Sequence, residues 1–138
     1  MDNFNSWLDK GNKYFSGVQG KNGNPCKFSP TIQYNLVCLA FESYVMAILD
    51  FHSKLPENHT ITDLLDALES VTHIDLDLRN KLIKYEEVQL ICPLIDYHRR
   101  DPSIDEVNEF KISVQVIASL ANTTIVVEQN KSLEKEKS

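Results

Sequence analysis

Residues 29–55 read SPTIQYNLVCLAFESYVMAILDFHSKL, and this stretch decides the fold. Pro30 stands where a helix can start, because its ring fixes φ near the helical value and its missing N–H costs nothing in a first turn. Ser29 before it is placed to cap that turn. Ile32, Leu36, Val37, Leu39, Ala40, Phe41, Tyr44, Val45, Met46, Ala47, Ile48, Leu49, Phe51 and Leu55 then recur at helical spacings but cover more than one face. No glycine interrupts them, and Pro56 closes the run. A surface helix would show one apolar stripe, so this pattern predicts a long central helix buried against several neighbours. Gln33, Asn35, Glu42, Ser43 and Asp50 argue against a membrane span, which needs about 20 mostly apolar residues with few or no charges.

The whole chain, 138 residues, has room for a single core. Its 20 acidic and 14 basic side chains give a net charge of −6, which disfavours a broad nucleic-acid footprint and leaves room only for a local basic patch. Met1-Asp2-Asn3-Phe4 has neither a basic region nor an apolar core, so no secretion signal is expected. Cys26, Cys38 and Cys92 form no CxxC pair. Cys38 falls in the central helix pattern as a small core residue. Reduced cysteines in a cytoplasm fit this set best. Asn58-His59-Thr60 and Asn122-Thr123-Thr124 match the glycosylation pattern, which carries little without a secretion signal.

On either side of the central stretch the pattern stays helical. Phe4, Trp7, Leu8, Tyr14, Phe15 and Val18 share one face of a first helix from about Asn5 to Gly17, with Gly11 as a weak point. A Gly-, Asn- and Lys-rich loop follows to Lys27. Ile61, Leu64, Leu65 and Leu68 predict a short helix over 60–70, capped by Thr60 with Asp63. Leu76 to Tyr97 predicts a long fourth helix. Pro93 inside it removes one backbone bond and clashes with the Gln89 carbonyl, predicting a kink between Gln89 and Pro93. Ser103 and Glu106 form a capping box for a fifth helix whose core face is Val107, Phe110, Val114, Ile117, Ala118 and Ala121. The β-branched Thr123–Val127 has no second strand to pair with, so the helix extends loosely to about Val126. The expected organisation is one all-α domain over 1–127, a five-helix up-and-down bundle, with a charged, disordered tail over 128–138.

Three stretches carry a family resemblance, together with Trp7-Leu8-Asp9-Lys10 near the start. They are Ala40-Phe41-Glu42-Ser43-Tyr44-Val45-Met46-Ala47-Ile48-Leu49, then His59-Thr60-Ile61-Thr62-Asp63-Leu64-Leu65, then Tyr97-His98-Arg99-Arg100-Asp101-Pro102-Ser103. In this order and spacing, across roughly residues 5 to 122, the chain resembles a HEPN domain, a helical bundle often found beside a nucleotidyltransferase. Met46 stands where the family commonly has Lys. The resemblance implies a homodimer and, for some relatives, a nucleotidyltransferase partner in a toxin–antitoxin pair. Many HEPN proteins are ribonucleases with an Arg, four to six residues, then His. Here Arg79 is followed at that spacing by Lys84, Tyr85 and Glu86. Arg99 is followed by Ile104, Asp105 and Glu106, and Arg100 by Asp105, Glu106 and Val107. The signature is absent, so catalysis by the family route is not expected and no catalytic residue is assigned. The preferred reading is a non-catalytic interaction module without a cofactor.

The remaining groups with chemistry are few. His52, His59, His73 and His98 include no i, i+3 or i, i+4 pair, so no metal site is expected. Gly17-Val18-Gln19-Gly20-Lys21 lacks the full phosphate-loop spacing. His98-Arg99-Arg100 is the densest cationic cluster. Favourable charge at a helix C-terminus explains it best, worth about 0.3–1 kcal/mol. Contact with a phosphate, a nucleotide or RNA, or an atypical ribonuclease site, is the functional alternative. Glu42 inside an apolar helix needs a donor or a proton if it is buried; a structural hydrogen bond or ion pair is preferred over a catalytic role. Tyr44, Tyr85 and Tyr97 are expected to place their rings in the core and their hydroxyls at its edge.

Overall fold

Ser29 and Pro30 start a helix as their chemistry requires: the Ser29 hydroxyl accepts from the Ile32 N–H at 3.3 Å, with Pro30 in the first turn. The computed structural model describes residues 4–20, 23, 26–54, 56, 58, 60–85 and 102–136, with side chains of the last helix described through Ile125. Among these residues there are five helices and no strand: α1 Phe4–Ser16, α2 Pro30–Phe51, α3 Ile61–Glu69, α4 Leu76–Ile83 and α5 Ile104–Glu136. The all-α bundle expected from the sequence is the fold.

The helix α2 is the centre, as its apolar pattern predicts. Every residue from Ser43 to Leu49 is buried, so this half is surrounded on all sides. The helix packs on α1, α3 and α5. By length and composition α2 would also span a membrane, but 67% of its most apolar window is buried inside the bundle, as a core helix is. Phe4 meets Phe51 edge-on at 5.2 Å and Gly17 lies by Leu36, so α1 and α2 run antiparallel. Tyr34 of α2 lies 5.3 Å from Phe110 of α5, and Tyr44 and Asn122 share the partner Asn12 further along. These levels make α5 run in the same direction as α2, so the bundle does not alternate strictly up and down as the sequence reading expects.

The α1–α2 contact is close because of Gly11. A Cβ there would lie 2.8 Å from Tyr44 Cδ1 and 2.9 Å from Cε1. The glycine that weakens a helix by sequence alone is therefore what lets the Tyr44 ring of α2 lie directly against the α1 backbone. Asn12 beside it joins three helices. Its amide pairs reciprocally with that of Asn122 at 3.1 Å in both directions, and its carbonyl oxygen accepts the Tyr44 hydroxyl at 2.8 Å. The expected core faces hold: Ile61, Leu64, Leu65 and Leu68 of α3 are buried, as are Val107, Phe110, Val114, Ile117, Ala118 and Ala121 of α5.

The helix ends differ from the sequence reading in three places. The central helix stops at Phe51, short of Pro56. Ser53 adopts a left-handed φ of 57°, the Lys54 N–H reaches back to the Leu49 carbonyl at 2.7 Å and Ser53 N–H to Asp50 O at 3.0 Å. This pair of bonds is a Schellman ending with serine in the place usually held by glycine. The helix α4 closes at Ile83, with a turn at Lys84 and Tyr85, so it does not run on unbroken to Tyr97; the expected kink near Pro93 lies outside the described residues. The backbone of α5 stays helical to Glu136, past the expected end near Val126 and through most of the stretch read as a tail.

Candidate interaction surface

The caps that position α3 and α5 are the ones the sequence specifies. Thr60 Oγ1 accepts from the Asp63 N–H at 3.1 Å and donates to Asp63 Oδ2 at 2.6 Å. Ser103 Oγ accepts from the Glu106 N–H, and Glu106 Oε1 accepts from the Ser103 N–H, both at 3.1 Å. With its start fixed by this box, α5 turns its core stripe to α2 and leaves one face outside. Lys111, on the edge next to α1, donates to the Val18 carbonyl at 2.9 Å. On the opposite edge, Glu109 faces Lys84 at 3.5 Å.

Between those edges the outer face of α5 is uncharged and carries two exposed apolar side chains. Ile112 is 70% exposed and Val116 51% exposed. Gln115, Ser119 and Thr123 are exposed beside them, and from Ile112 to Val127 the sequence has no ionisable side chain. Burying exposed apolar surface of this kind is favourable at roughly 25 cal/mol per Å². Three further large apolar side chains are half-exposed nearby in the chain: Phe28 just before α2, and Ile32 and Leu39 in its first half. The core-face reading of α5 passed over Ile112 and Val116 because they fall outside the stripe. Their signal was legible, as two β-branched residues one turn apart on the polar side of an amphipathic helix.

Of the residues singled out from the sequence as site candidates, only Glu42 falls among the described ones. His98, Arg99 and Arg100 lie outside the described residues, as does Tyr97. Glu42 is half-buried on α2 and has an interaction partner, so it is not an isolated buried charge. Among the described residues no group of three or more His, Cys, Asp or Glu side chains could hold a metal ion. Arg79 lies between α4 and α3, bound to Asp66 Oδ1 at 2.7 Å and Glu69 Oε1 at 2.9 Å, so its guanidinium clamps two helices.

Among the described residues, burial raises the pKa of two tyrosines. Burial pushes the Tyr44 phenol up to about 12, while its hydroxyl donates to Asn12. Tyr85 is 1% exposed and stacks on Phe110 at 4.6 Å, and its backbone carbonyl accepts the Tyr34 hydroxyl at 2.8 Å. Its own hydroxyl has no hydrogen bond of good geometry. Burial, and then the nearby Glu109 and Glu106 carboxylates, raise its pKa well above the ordinary phenol value. Both rings lie in the core as expected, but the Tyr85 hydroxyl is buried with its ring and not at the edge. The upward shifts make both phenols weaker acids than a solvated tyrosine, so they stay protonated at neutral pH.

Comparison of the chain with family models, with curated proteins and with solved structures returned no match. The HEPN resemblance therefore rests on the sequence motifs alone.

Proposed function

We propose that this chain is a non-catalytic, HEPN-like helical interaction module that acts as a homodimer. The observation that carries the reading is the outer face of α5, where Ile112 and Val116 stand exposed in a stretch without charge. Two copies that each carry −6 repel over most of their surface, and an uncharged face is where they approach at least electrostatic cost. The all-α architecture and the missing Arg–His signature support the same reading.

The test is the mass in solution by light scattering on a size column, with and without added total RNA. A species of twice 15.8 kDa that does not shift with RNA is the expected result. A monomer at all concentrations would overturn the homodimer. Co-elution with RNA would transfer the function to a nucleic-acid contact, with His98, Arg99 and Arg100 as its first candidates.

A further inference from the structure

Ile112, Val116, Ser119 and Thr123 follow one another along α5 at intervals of four, three and four residues, so they form one straight seam on its open face. All four are exposed. The seam is graded: its first half carries the large side chains Ile112 and Val116, its second half the small Ser119 and Thr123. We infer that the occupant of this face is α5 of a second copy, laid antiparallel, with the two-fold axis between Val116 and Ser119. This inference rests on the homodimeric reading and adds its geometry.

Shape favours the antiparallel arrangement. About that axis Ile112 faces Thr123 of the second copy and Val116 faces its Ser119, so each large side chain meets a small one and the helices stay evenly spaced. A parallel pairing would set Ile112 against Ile112 and Val116 against Val116, with a gap at the small residues, which packing disfavours. Charge favours it as well. The helix begins with Asp105 and Glu106 in its first turn and Glu109 one turn on. In a parallel pair these carboxylates would lie beside their own copies. In an antiparallel pair of this register Asp105, Glu106 and Glu109 lie opposite residues 126–131 of the other helix, where the charged side chains are one of each sign, Glu128 and Lys131. The helix dipoles are then opposed rather than aligned.

The experiment uses the full chain carrying Cys26→Ser, Cys38→Ser and Cys92→Ser, into which Ile112→Cys or Thr123→Cys is introduced singly. The two proteins are treated with a short bismaleimide, each alone and mixed after subunit exchange. The expected result is a dimer by light scattering for both, a crosslinked dimer in the mixture, and little crosslinking in either protein alone. A dimer in which Ile112→Cys alone crosslinks would overturn the antiparallel geometry and leave the homodimer standing. A dimer without any crosslink would place the interface on another face, for which Phe28, Ile32 and Leu39 are next. A monomer that keeps the parent's helical circular dichroism would overturn both readings. Independently, Val116→Glu puts a carboxylate on the seam and is expected to halve the mass at unchanged helical content; a Val116→Glu protein that stays dimeric would overturn the placement.

Discussion

Gly11 sets the distance between α1 and α2, and its replacement is the sharpest test of the core. Ala in place of Gly favours a helix by about 0.5–1 kcal/mol on backbone grounds. Here the added methyl meets the Tyr44 ring at 2.8 Å, and that ring is 2% exposed with its hydroxyl tied to Asn12, so it has nowhere to turn. Overpacking costs about 1–3 kcal/mol and outweighs the propensity gain. Gly11→Ala is therefore expected to destabilise the protein by about 1–2 kcal/mol in urea unfolding; a stabilised protein would show that the contact is loose. The same ring gives a pH signature. Unfolded Tyr44 ionises at its ordinary 10.0 and the folded residue only at about 12, with Tyr85 displaced in the same direction. Above pH 10 the unfolded state thus binds fewer protons than the folded one, so the stability these groups contribute is intact below pH 10 and is lost as pH rises toward 12. Phenolate absorbance followed with circular dichroism should show Tyr44 and Tyr85 ionising together with loss of helix. Full ionisation of all five tyrosines near pH 10 with the fold intact would contradict it.

At the level of helices, starts were readable in the sequence and ends were not. Ser29-Pro30, Thr60 with Asp63 and Ser103 with Glu106 are local devices, in which a side chain satisfies free amides within a single turn, so a few residues specify them. Core faces were readable for a related reason, since period fixes which side is apolar. The end of α2 depends on Ser53 entering the left-handed region, which no residue type signals as glycine would. For an L residue that conformation costs about 1–2 kcal/mol. Ser53→Gly removes the cost and adds unfolded-state entropy of about 0.5–1 kcal/mol, so a net stabilisation of up to about 1 kcal/mol is expected, read as a higher urea midpoint at unchanged slope. A lower midpoint would mean that the Ser53 side chain holds the turn. The end of α4 was missed because apolar residues continue at helical spacing beyond Ile83. What stops the helix is tertiary: Tyr85 is held by its stack on Phe110 and by the Tyr34 hydroxyl on its carbonyl. The exposed face of α5 was legible only in part, since an exposed Ile112 or Val116 looks like a core residue until the core stripe is placed.

Across the whole molecule, α5 is out of proportion to the bundle. It has 33 residues against 22 in α2, which at 1.5 Å per residue is about 50 Å against about 33 Å. The two run parallel with Tyr34 beside Phe110, so the end of α2 at Phe51 falls at about the level of Val127. The start of α1 reaches the same level through the contact of Phe4 with Phe51. Past that level α5 has neither α1 nor α2 beside it, and a single turn or two of helix in water is not stable by propensity alone. Its persistence depends on continuation from the packed part below, or on the second copy when the antiparallel pair forms. Ending the chain after Val127 separates the bundle from the overhang. The truncated protein is expected to keep a cooperative thermal midpoint within a few degrees of the full chain, at a helical signal reduced in proportion to the residues removed, because the packed core lies below the cut. A fall of more than about 8 °C, equivalent to losing about 2 kcal/mol from a domain of this size, would show that the overhang is part of the cooperative unit. Performed at several protein concentrations, the same measurement also reads the assembly: a midpoint that rises with concentration in the full chain and not in the truncated one assigns the overhang to the dimer.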